Sequence, residues 1–393
     1  MGEGQRSLRI TINGYFLLRP ATGSGQHLYY LLEGLDAVDE SNRYLVLYPR
    51  LGDSQIVRTP HLGSNFEVRE VHGPAERLGA RFGKLWWEQV GLAQACASVG
   101  TDVLHTPYFA SPLFPNSPTV VTVHDVIPMI LPHYGSAWHA RIYGRLVSAS
   151  ARRAGAIITV SHTSKQDIVR VLRVPEERVH VIYNAVDPRL HQVCDEAALE
   201  GMRDAHGIGE RFLLYFGGFD ERKNVARIIL AYDAARTHFQ QPCQLVLAGA
   251  LNLVGEHPLY PDPRPLIRQL GLEEQVIVTG RISEVEKPLL YSAATAFVFP
   301  SLYEGFGIPV LEAMACGAPV LTSNSSSLPE VAGDAALMVD PTSVEEMAGA
   351  MIRLVNEETL RDELRRKGLL RVGHFSWERS ARETLAVYRQ LLS

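Results

Sequence analysis

Short apolar runs rich in β-branched residues alternate with longer helical stretches along nearly the whole chain. Near-continuous apolar strands separated by helices are typical of parallel sheets that are covered on both faces. The runs form two series, which predict an α/β protein of two doubly wound, Rossmann-like domains. The predicted strands cover residues 8–13, 44–48, 102–106, 119–124, 156–161 and 179–184, and then 212–218, 244–250, 275–280, 296–301, 319–324 and 336–340.

The strand pattern stops after Asn184, where polar and helical residues take over. This change predicts an N-terminal domain over residues 1–192 and a C-terminal domain over residues 193–374. The last stretch, residues 375–393, has helical periodicity and contains Ser376, a typical N-cap residue. Periodicity alone leaves open which domain this helix packs on, and packing back on the N-terminal domain is one of the two options.

Composition narrows the classes of function. The net charge of −5, with both signs interspersed, argues against a nucleic-acid-binding face, although local cations can still hold a small anion. The four cysteines form no CxxC pair, so we expect no disulfide framework and a cytoplasmic protein. No apolar leader begins the chain, and no run approaches the roughly 18 apolar residues of a membrane span. Any membrane contact, at the inner face of the membrane, would be peripheral.

The most informative segment is FPSLYEGFGIPVLEAMACGAPVL, residues 299–321. A strand is predicted to end near Pro300, and after a glycine-rich loop a helix is predicted to begin around Pro309, with Glu312 in its first turn. Glycines let backbone amides approach a ligand, and the positive end of the helix favours a diphosphate there. Glu304 in the loop and Glu312 flank this anion site, where carboxylates would accept hydroxyl hydrogens of a sugar or ribose. The alternative is that Glu304 is a solvated loop residue and that Glu312 is favoured only by the helix dipole.

This segment, with SLPEVAGDAALMVDP after it, resembles the retaining GT-B glycosyltransferases of family four, whose signature is a Glu, seven residues and a second Glu. The resemblance implies the GT-B fold, with two Rossmann-like domains facing each other across a cleft. It also implies front-face, retaining transfer of a hexose, such as mannose or glucose, from a nucleotide diphosphate sugar to a glycan or lipid-linked acceptor. In the family's pattern Glu312 holds the donor ribose, Glu304 lies against the donor sugar, and the amides of Gly305, Phe306 and Gly307 serve the sugar and phosphates.

A second motif, YFGGFDERKN (residues 215–224), follows the first strand of the C-terminal domain, where ligands of open α/β sheets bind. Lys223 matches the family's diphosphate lysine, and Arg222 beside it is a second candidate cation. The family usually has an arginine five residues before that lysine, and this chain has Gly218 there. Arg222 could compensate, because arginine can engage phosphate oxygens with two hydrogen bonds, or it could be a solvated charge near a helix start.

A third motif, TVVTVHDVIP, places His124 and Asp125 at the end of a buried strand. In isolation a His-Asp pair at a strand end is more often a structural hydrogen bond. The family resemblance implies that His124 lies beside the donor sugar, where a neutral imidazole can hydrogen-bond a hydroxyl. Asp125 stays open between a structural and a functional role.

A fourth motif, ATGSGQHLYYLL (residues 21–32), is predicted to form a glycine-rich loop between the first strand and the first helix. Gly23 and Gly25 suit close approach of a phosphate, and the family has a similar loop near the diphosphate and acceptor. The GxGxxG spacing of dinucleotide-binding proteins fails, because position 28 is Leu. An NAD-dependent enzyme is therefore disfavoured.

A basic and aromatic stretch, RLGARFGKLWWEQVGL, combines Arg77, Arg81 and Lys84 with Trp86 and Trp87. This mixture suits an anionic membrane surface or a glycan acceptor. The favoured alternative is a surface helix whose tryptophans lie in the core.

Other features concern the base, metals and competing functions. The TGRIS turn (residues 279–283), which includes Ile282, is where we expect the donor base to be distinguished. No Asp-x-Asp or His/Asp cluster of ligand spacing is found, so we predict no metal requirement and no cofactor, with protein cations and helix amides supplying the electrostatic stabilisation. Two alternatives stay open: another GT-B enzyme such as a nucleotide-sugar epimerase, and a catalytically silent nucleotide- or glycan-binding partner in a polysaccharide assembly.

Overall fold

The structure is a computed structural model that describes residues 6–51, 57–76, 79–131, 134, 138–251 and 259–393. It divides into two compact units. Unit 1 comprises Met1–Asn184 with Ser376–Ser393, and unit 2 comprises Ala185–Phe375. The chain thus passes from unit 1 to unit 2 eight residues before the predicted boundary at residue 192.

Unit 1 is built on a seven-stranded parallel sheet of order β3-β2-β1-β4-β5-β6-β7. Its strands are β1 (Arg9–Asn13), β2 (Arg43–Pro49), β3 (Phe66–Val71), β4 (Val103–Thr106), β5 (Thr119–Thr122), β6 (Ala156–Thr159) and β7 (Val179–Val181). Its first helices are α1 (Gly23–Val38), α2 (Gly79–Trp86), α3 (Leu92–Val99), α4 (Ile127–Ile130), α5 (Trp138–Arg153) and α6 (His162–Leu172).

Unit 2 is built on a six-stranded parallel sheet of order β10-β9-β8-β11-β12-β13. Its strands are β8 (Phe212–Phe216), β9 (Gln244–Ala248), β10 (Val276–Gly280), β11 (Ala296–Phe299), β12 (Val320–Ser323) and β13 (Ala336–Val339). Its helices are α7 (Glu196–His206), α8 (Val225–Arg236), α9 (Arg264–Gln269), α10 (Glu286–Ala293), α11 (Ile308–Ala315), α12 (Leu328–Ala332), α13 (Val344–Asn356) and α14 (Glu358–Val372).

All twelve predicted strands are present, and the two predicted Rossmann-like domains are confirmed. The prediction missed β3, whose sequence FEVREV is half charged. This strand lies at the edge of the sheet and contains no fully buried residue. An edge strand with charged side chains lacks the continuous apolar run by which the other strands were found.

The C-terminal helix α15 (Trp377–Gln390) packs on α1 in unit 1, which confirms one of the two options left open above. A Cβ atom added to Gly34 of α1 would lie 2.5 Å from the Trp377 carbonyl oxygen, so only glycine allows this approach. Ser380 Oγ donates to the Tyr183 carbonyl, and Tyr388 OH is 2.6 Å from His105 Nδ1 on β4. The helix is therefore held to unit 1 by both backbone approach and buried hydrogen bonds.

The strand order reverses at one place in each sheet, between β1 and β4 in unit 1 and between β8 and β11 in unit 2. Ligands of open α/β sheets bind outside the carboxyl ends of the strands at such a point. Within the described residues, no helix has both the length and the apolar character needed to cross a membrane.

Candidate active site

Two cations and a carboxylate meet beyond the carboxyl ends of β8 and β11. Arg222 and Lys223 lie in the 3-10 turn after β8, which Asp220 caps by accepting from the Arg222 amide. Lys223 Nζ lies 2.5 Å from Glu304 Oε1, and Arg222 Nη1 lies 2.8 Å from Glu304 Oε2. Ser301 Oγ donates to Glu304 Oε1 at 2.6 Å. We call Arg222, Lys223, Ser301 and Glu304 the cation–carboxylate cluster.

The cation–carboxylate cluster is largely withdrawn from water. Glu304 is 7% exposed, so the solvated alternative for this residue is wrong. Burial opposes ionisation of Glu304, but the charges of Lys223 and Arg222 outweigh it and hold its pKa below the usual value. Burial lowers the pKa of Lys223 despite the attraction of Glu304. Asp220 Oδ1 also lies 3.7 Å from Arg222 Nε, so the two cations of this site face two carboxylates.

The loop before α11 is fixed by serines of the segment after β12. Ser326 Oγ accepts from the Glu304 amide at 3.1 Å and donates to the Glu304 carbonyl at 2.7 Å. Ser327 Oγ donates to the carbonyls of Glu304 and Phe306 at 2.9 and 2.7 Å. Gly307 has φ of 115°, a conformation that favours glycine, and N-caps α11. The loop is thus held rigidly at the start of the helix.

Glu312 lies in the second turn of α11, because the helix begins at Ile308; the predicted first-turn position was wrong. It is 6% exposed, so it too is not a solvated residue. Lys287 Nζ lies 2.5 Å from Glu312 Oε1, and Tyr291 OH donates to Oε2 at 3.1 Å. Burial disfavours the Lys287 charge, but Glu312 outweighs it and raises the pKa of this lysine.

Sequence reasoning missed Lys287 and Tyr291. Their spacing of four residues puts them on one face of α10, and this was the signal that could have linked them. It also missed Asn224, which has φ of 66° and whose Nδ2 donates to the carbonyls of Pro300 and Pro341. Asn224 therefore ties the turn carrying Lys223 to the end of β11.

Gly218, the departure from the family's pattern, lies exposed near the end of β8. A Cβ atom added there would meet no atom within 4 Å among the described residues. The nearby Arg222 is not free to replace the usual arginine without rearrangement, since its Nη1 also donates to the Tyr303 carbonyl at 2.9 Å.

Unit 1 contains three histidines on adjacent central elements, which we call the histidine cluster: His27 on α1 and His105 on β4 are buried, and His124 after β5 is half-buried. Burial lowers their pKa values to about 3, about 3 and about 4, so all three are neutral at pH 7. The rings of His27 and His124 lie 4.6 Å apart, edge to face. Of these three, the sequence predicted only His124.

Two other predictions in unit 1 need correction or refinement. Gly23 and Gly25 are not in a loop, because α1 begins at Gly23 and Thr22 caps it by accepting from the Gly25 amide. A Cβ atom on Gly25 would lie 2.3 Å from the Arg19 carbonyl oxygen, so this glycine permits close chain packing. Asp125 Oδ1 accepts from the Ile127 amide at 3.0 Å, which is a local turn contact before α4.

In the basic and aromatic stretch, one of the two tryptophans lies in the core, as the favoured alternative predicted. Trp87 is fully buried and its Nε1 donates to Asn13 Oδ1 at 3.0 Å, whereas Trp86 is half-buried. Lys84 Nζ is 3.5 Å from the buried carboxylate of Glu88. Arg77 and the side chain of Arg81 lie outside the described residues.

The remaining predicted positions are buried in unit 2. Phe306 is 5% exposed with its ring 5.9 Å from that of Phe375, and Ile282 follows β10 and is 7% exposed. Gly305 lies between Glu304 and Phe306 in the fixed loop. Among the described residues, no group of three or more His, Cys, Asp or Glu side chains is placed to hold a metal ion.

Chemically, unit 2 offers cations for an anionic group beside two carboxylates that can accept hydroxyl hydrogens. Two family models match the chain: "Glycosyltransferase Family 4" over residues 21–190 and "Glycosyl transferases group 1" over residues 201–371.

Curated relatives and a solved structure agree with these matches. The chain is 30% identical to the O-antigen chain mannosyltransferase B of Escherichia coli over 69% of this chain and 70% of that protein. It is 32% identical to the serotype-specific mannosyltransferase WbdA of Escherichia coli, over 70% of this chain but only 34% of that longer protein. The crystal structure of Anabaena HepE in complex with UDP and glucose has the same fold, with a TM-score of 0.72, 18% identity, and 98% and 100% of the two chains covered. The chain therefore belongs to the group 1 glycosyltransferases, enzymes of the GT-B fold.

Proposed function

We propose that this glycosyltransferase moves a hexose from a nucleotide diphosphate sugar to a glycan or lipid-linked acceptor, with mannose as the first candidate sugar. The observation that carries the proposal is the cation–carboxylate cluster at the strand-order reversal of unit 2, where two cations lie beside a buried carboxylate that can accept hydroxyl hydrogens. Both relatives are named as mannosyltransferases, and the name of one refers to an O-antigen chain, which favours mannose and a glycan acceptor.

In this proposal Lys223 and Arg222 bind the diphosphate of the donor, supported by the amides of Gly305, Phe306 and Gly307 at the start of α11. Glu304, held between the two cations, faces the donor sugar. Glu312 accepts from the donor ribose; a carboxylate has about four acceptor sites, and Lys287 and Tyr291 take two of them. His124 hydrogen-bonds the sugar, and Ile282 lies in the turn that distinguishes the base. Gly23, Gly25 and Asp125 are weaker candidates after their structural roles are known.

We propose retention of the donor's anomeric configuration. Inversion needs a general base opposite the leaving group, and double displacement needs a carboxylate nucleophile at the anomeric carbon. Glu304 is committed to two cations and Ser301, which leaves it poorly suited to either task. The donor phosphate would take the acceptor's proton, and Lys223 and Arg222 would stabilise the departing diphosphate. Proton NMR of the fresh product tests this, and an inverted anomer would contradict it.

We also propose that transfer needs no divalent metal, because Lys223 and Arg222 supply positive charge where the diphosphate leaves. EDTA should leave the rate unchanged. A severalfold loss that Mg²⁺ or Mn²⁺ restores would show that Gly218 leaves a charge deficit which a metal fills.

The direct test of the proposed function is the release of nucleoside diphosphate from UDP-, GDP- and ADP-sugars, with and without α-mannoside oligosaccharides as acceptors. We expect acceptor-dependent release from one donor, GDP-mannose first. Lipid-linked acceptors in vesicles extend the same assay, and co-sedimentation with the vesicles tests peripheral membrane contact.

Two alternatives give different results in that assay. A catalytically silent partner would bind the nucleotide without releasing it from any donor, and a nucleotide-sugar epimerase would change the sugar without an acceptor. Exposed Gly218 in place of the usual arginine is the observation that keeps the silent partner in consideration.

A further inference from the structure

Two ring nitrogens of unit 1 are buried without a hydrogen-bond partner among the described residues: Nε2 of His27 and Nε2 of His124. The other nitrogen of His27, Nδ1, lies 2.9 Å from Asn184 Oδ1. An amide oxygen only accepts, so Nδ1 carries the proton and Nε2 presents a lone pair. His124 makes a hydrogen bond to the Pro107 carbonyl, which must come from its Nδ1 because its Nε2 is unpartnered. Both Nε2 atoms are therefore acceptors.

The two rings that carry these acceptors are neighbours within unit 1. The imidazole rings lie 4.6 Å apart at an interplanar angle of 81°. Trp377 of α15 lies beside the pair, with its ring centroid 5.7 Å from that of His27. Because burial keeps both rings neutral at pH 7, they cannot turn their Nε2 atoms into donors by taking up protons.

A third histidine in the same cluster provides the comparison. His105 is fully buried, and its Nδ1 is 2.6 Å from Tyr388 OH and its Nε2 is 2.9 Å from Thr122 Oγ1. Both ring nitrogens of His105 therefore have hydrogen-bond partners, as is usual for buried polar groups that support the fold. Nε2 of His27 and Nε2 of His124 have no such partner among the described residues. A buried acceptor without a donor lowers the stability of the protein unless a ligand donates to it.

We propose that Nε2 of His27 and Nε2 of His124 together accept hydrogen bonds from a hydroxyl-bearing sugar ligand, which makes His27 a sugar-binding residue. This inference rests on the proposed function, since it assumes a sugar substrate. Sugar hydroxyls are neutral donors, and adjacent hydroxyls on a ring can supply two hydrogens to two neighbouring acceptors. The sugar could belong to the donor or to the acceptor, and the experiment separates the two sources.

The first test observes the histidines directly in the full-length protein labelled with ¹⁵N-histidine. Long-range proton–nitrogen correlation at pH 7 should show Nδ1-protonated neutral rings for His27 and His124, assigned with His27→Gln and His124→Gln variants. GDP-mannose, UDP-glucose, the free nucleoside diphosphates and α-1,3-mannobiose are then added separately. A sugar that donates to the pair moves both Nε2 signals, while His105 serves as an internal control that does not move. Movement with the free diphosphate alone, or with Zn²⁺ in the absence of sugar, would overturn the proposal.

The second test pairs a protein change with a ligand change. Deoxy analogues of the responding sugar identify the hydroxyl whose removal weakens binding, by about tenfold for the wild-type protein. His27→Phe keeps an aromatic ring beside Trp377 and His124, and in this variant the same deoxy analogue should bind as well as the parent sugar. His27→Phe alone would leave the Asn184 side chain without the His27 hydrogen bond. The double variant His27→Phe/Asn184→Leu removes that amide as well and is the control for a folding defect. An undiminished deoxy effect in both variants would overturn the role of His27.

These outcomes are separate from those of the proposed function. If the free nucleoside diphosphate does not bind the wild-type protein at all, the proposed function fails. If it binds and the sugar leaves the histidine signals unchanged, the inference about His27 fails together with the role proposed for His124, while the proposed diphosphate site stands.

Discussion

The two units bury polar groups at the carboxyl ends of their central strands in opposite ways. Unit 1 places imidazoles there, and their low pKa values mean that they are neutral at pH 7. Unit 2 buries ion pairs, in which Lys223, Arg222 and Lys287 stabilise the charges of Glu304 and Glu312. Neutral acceptors suit hydroxyl groups and cations suit phosphates, so under the proposed function the two units would bind different parts of a nucleotide sugar and its acceptor. The following predictions test this difference.

The largest effect should be acid sensitivity confined to unit 1. The folded pKa values of His27, His105 and His124, about 3, 3 and 4, lie below the unfolded value of 6.5. The unfolded chain therefore binds protons first as pH falls, and stability that is complete above pH 6.5 is lost towards pH 4. Each histidine contributes up to about 1.4 kcal/mol per pH unit in this window. Glu88 and Asp167 act in the opposite direction because burial raises their pKa values, whereas His180, whose pKa burial lowers, acts in the same direction as the three histidines.

Hydrogen exchange measured by mass spectrometry between pH 7 and pH 4.5 checks this prediction unit by unit. Unit 2 should keep its protection, because Lys223 and Arg222 lower the pKa of Glu304 and so favour its ion pairs as the pH falls. His105→Gln should reduce the pH dependence of unit 1. Earlier loss of protection in unit 2 than in unit 1 would contradict the comparison.

The next effect concerns the ion pair Lys287–Glu312. Glu312→Gln leaves the ammonium of Lys287 buried without a counter-charge and should lower the free energy of unfolding by about 3–5 kcal/mol. The double variant Lys287→Met/Glu312→Gln should recover most of this loss, because no uncompensated charge remains. Arg379→Ala, which breaks the exposed pair Arg379–Glu383, is the control and should cost less than about 1 kcal/mol. Equal destabilisation by the single and double variants, measured by urea unfolding, would contradict a buried-charge origin.

The sequence predicted the fold well because parallel strands buried on both faces leave long apolar runs, and it failed at β3, where the strand is charged and at an edge. It predicted Lys223, Glu304 and Glu312 because a recognisable string carries them. It could not predict that Glu304 pairs with Lys223 from 81 residues away, or that Lys287 pairs with Glu312, because such contacts arise only from tertiary packing. His27 gave no signal in the sequence, since a histidine in an amphipathic helix has nothing to distinguish it.

The smallest effect should come from restoring an arginine at position 218. Gly218 is exposed, and a side chain there meets no atom within 4 Å. Gly218→Arg should therefore be accommodated and tighten nucleoside diphosphate binding by about 0.5–1 kcal/mol, as expected for a solvent-accessible charge contact. Gly218→Ala is the matched control and should bind like the wild-type protein. Unchanged affinity of the arginine variant in a calorimetric titration would mean that the diphosphate does not reach this side of the cluster.

The most direct test of the account is the affinity of the free nucleoside diphosphate for unit 2. Isothermal titration of UDP and GDP should give a measurable dissociation constant for the wild-type protein with one of them. Lys223→Ala should weaken that binding by about 1.5–3 kcal/mol, because it removes a charge-assisted contact to phosphate. Lys367→Ala, which removes a lysine paired with Asp334 and Glu363 elsewhere in unit 2, should leave it unchanged. Affinity that Lys223→Ala leaves intact, in a variant whose circular dichroism matches the wild-type protein, would contradict the assignment of the donor site.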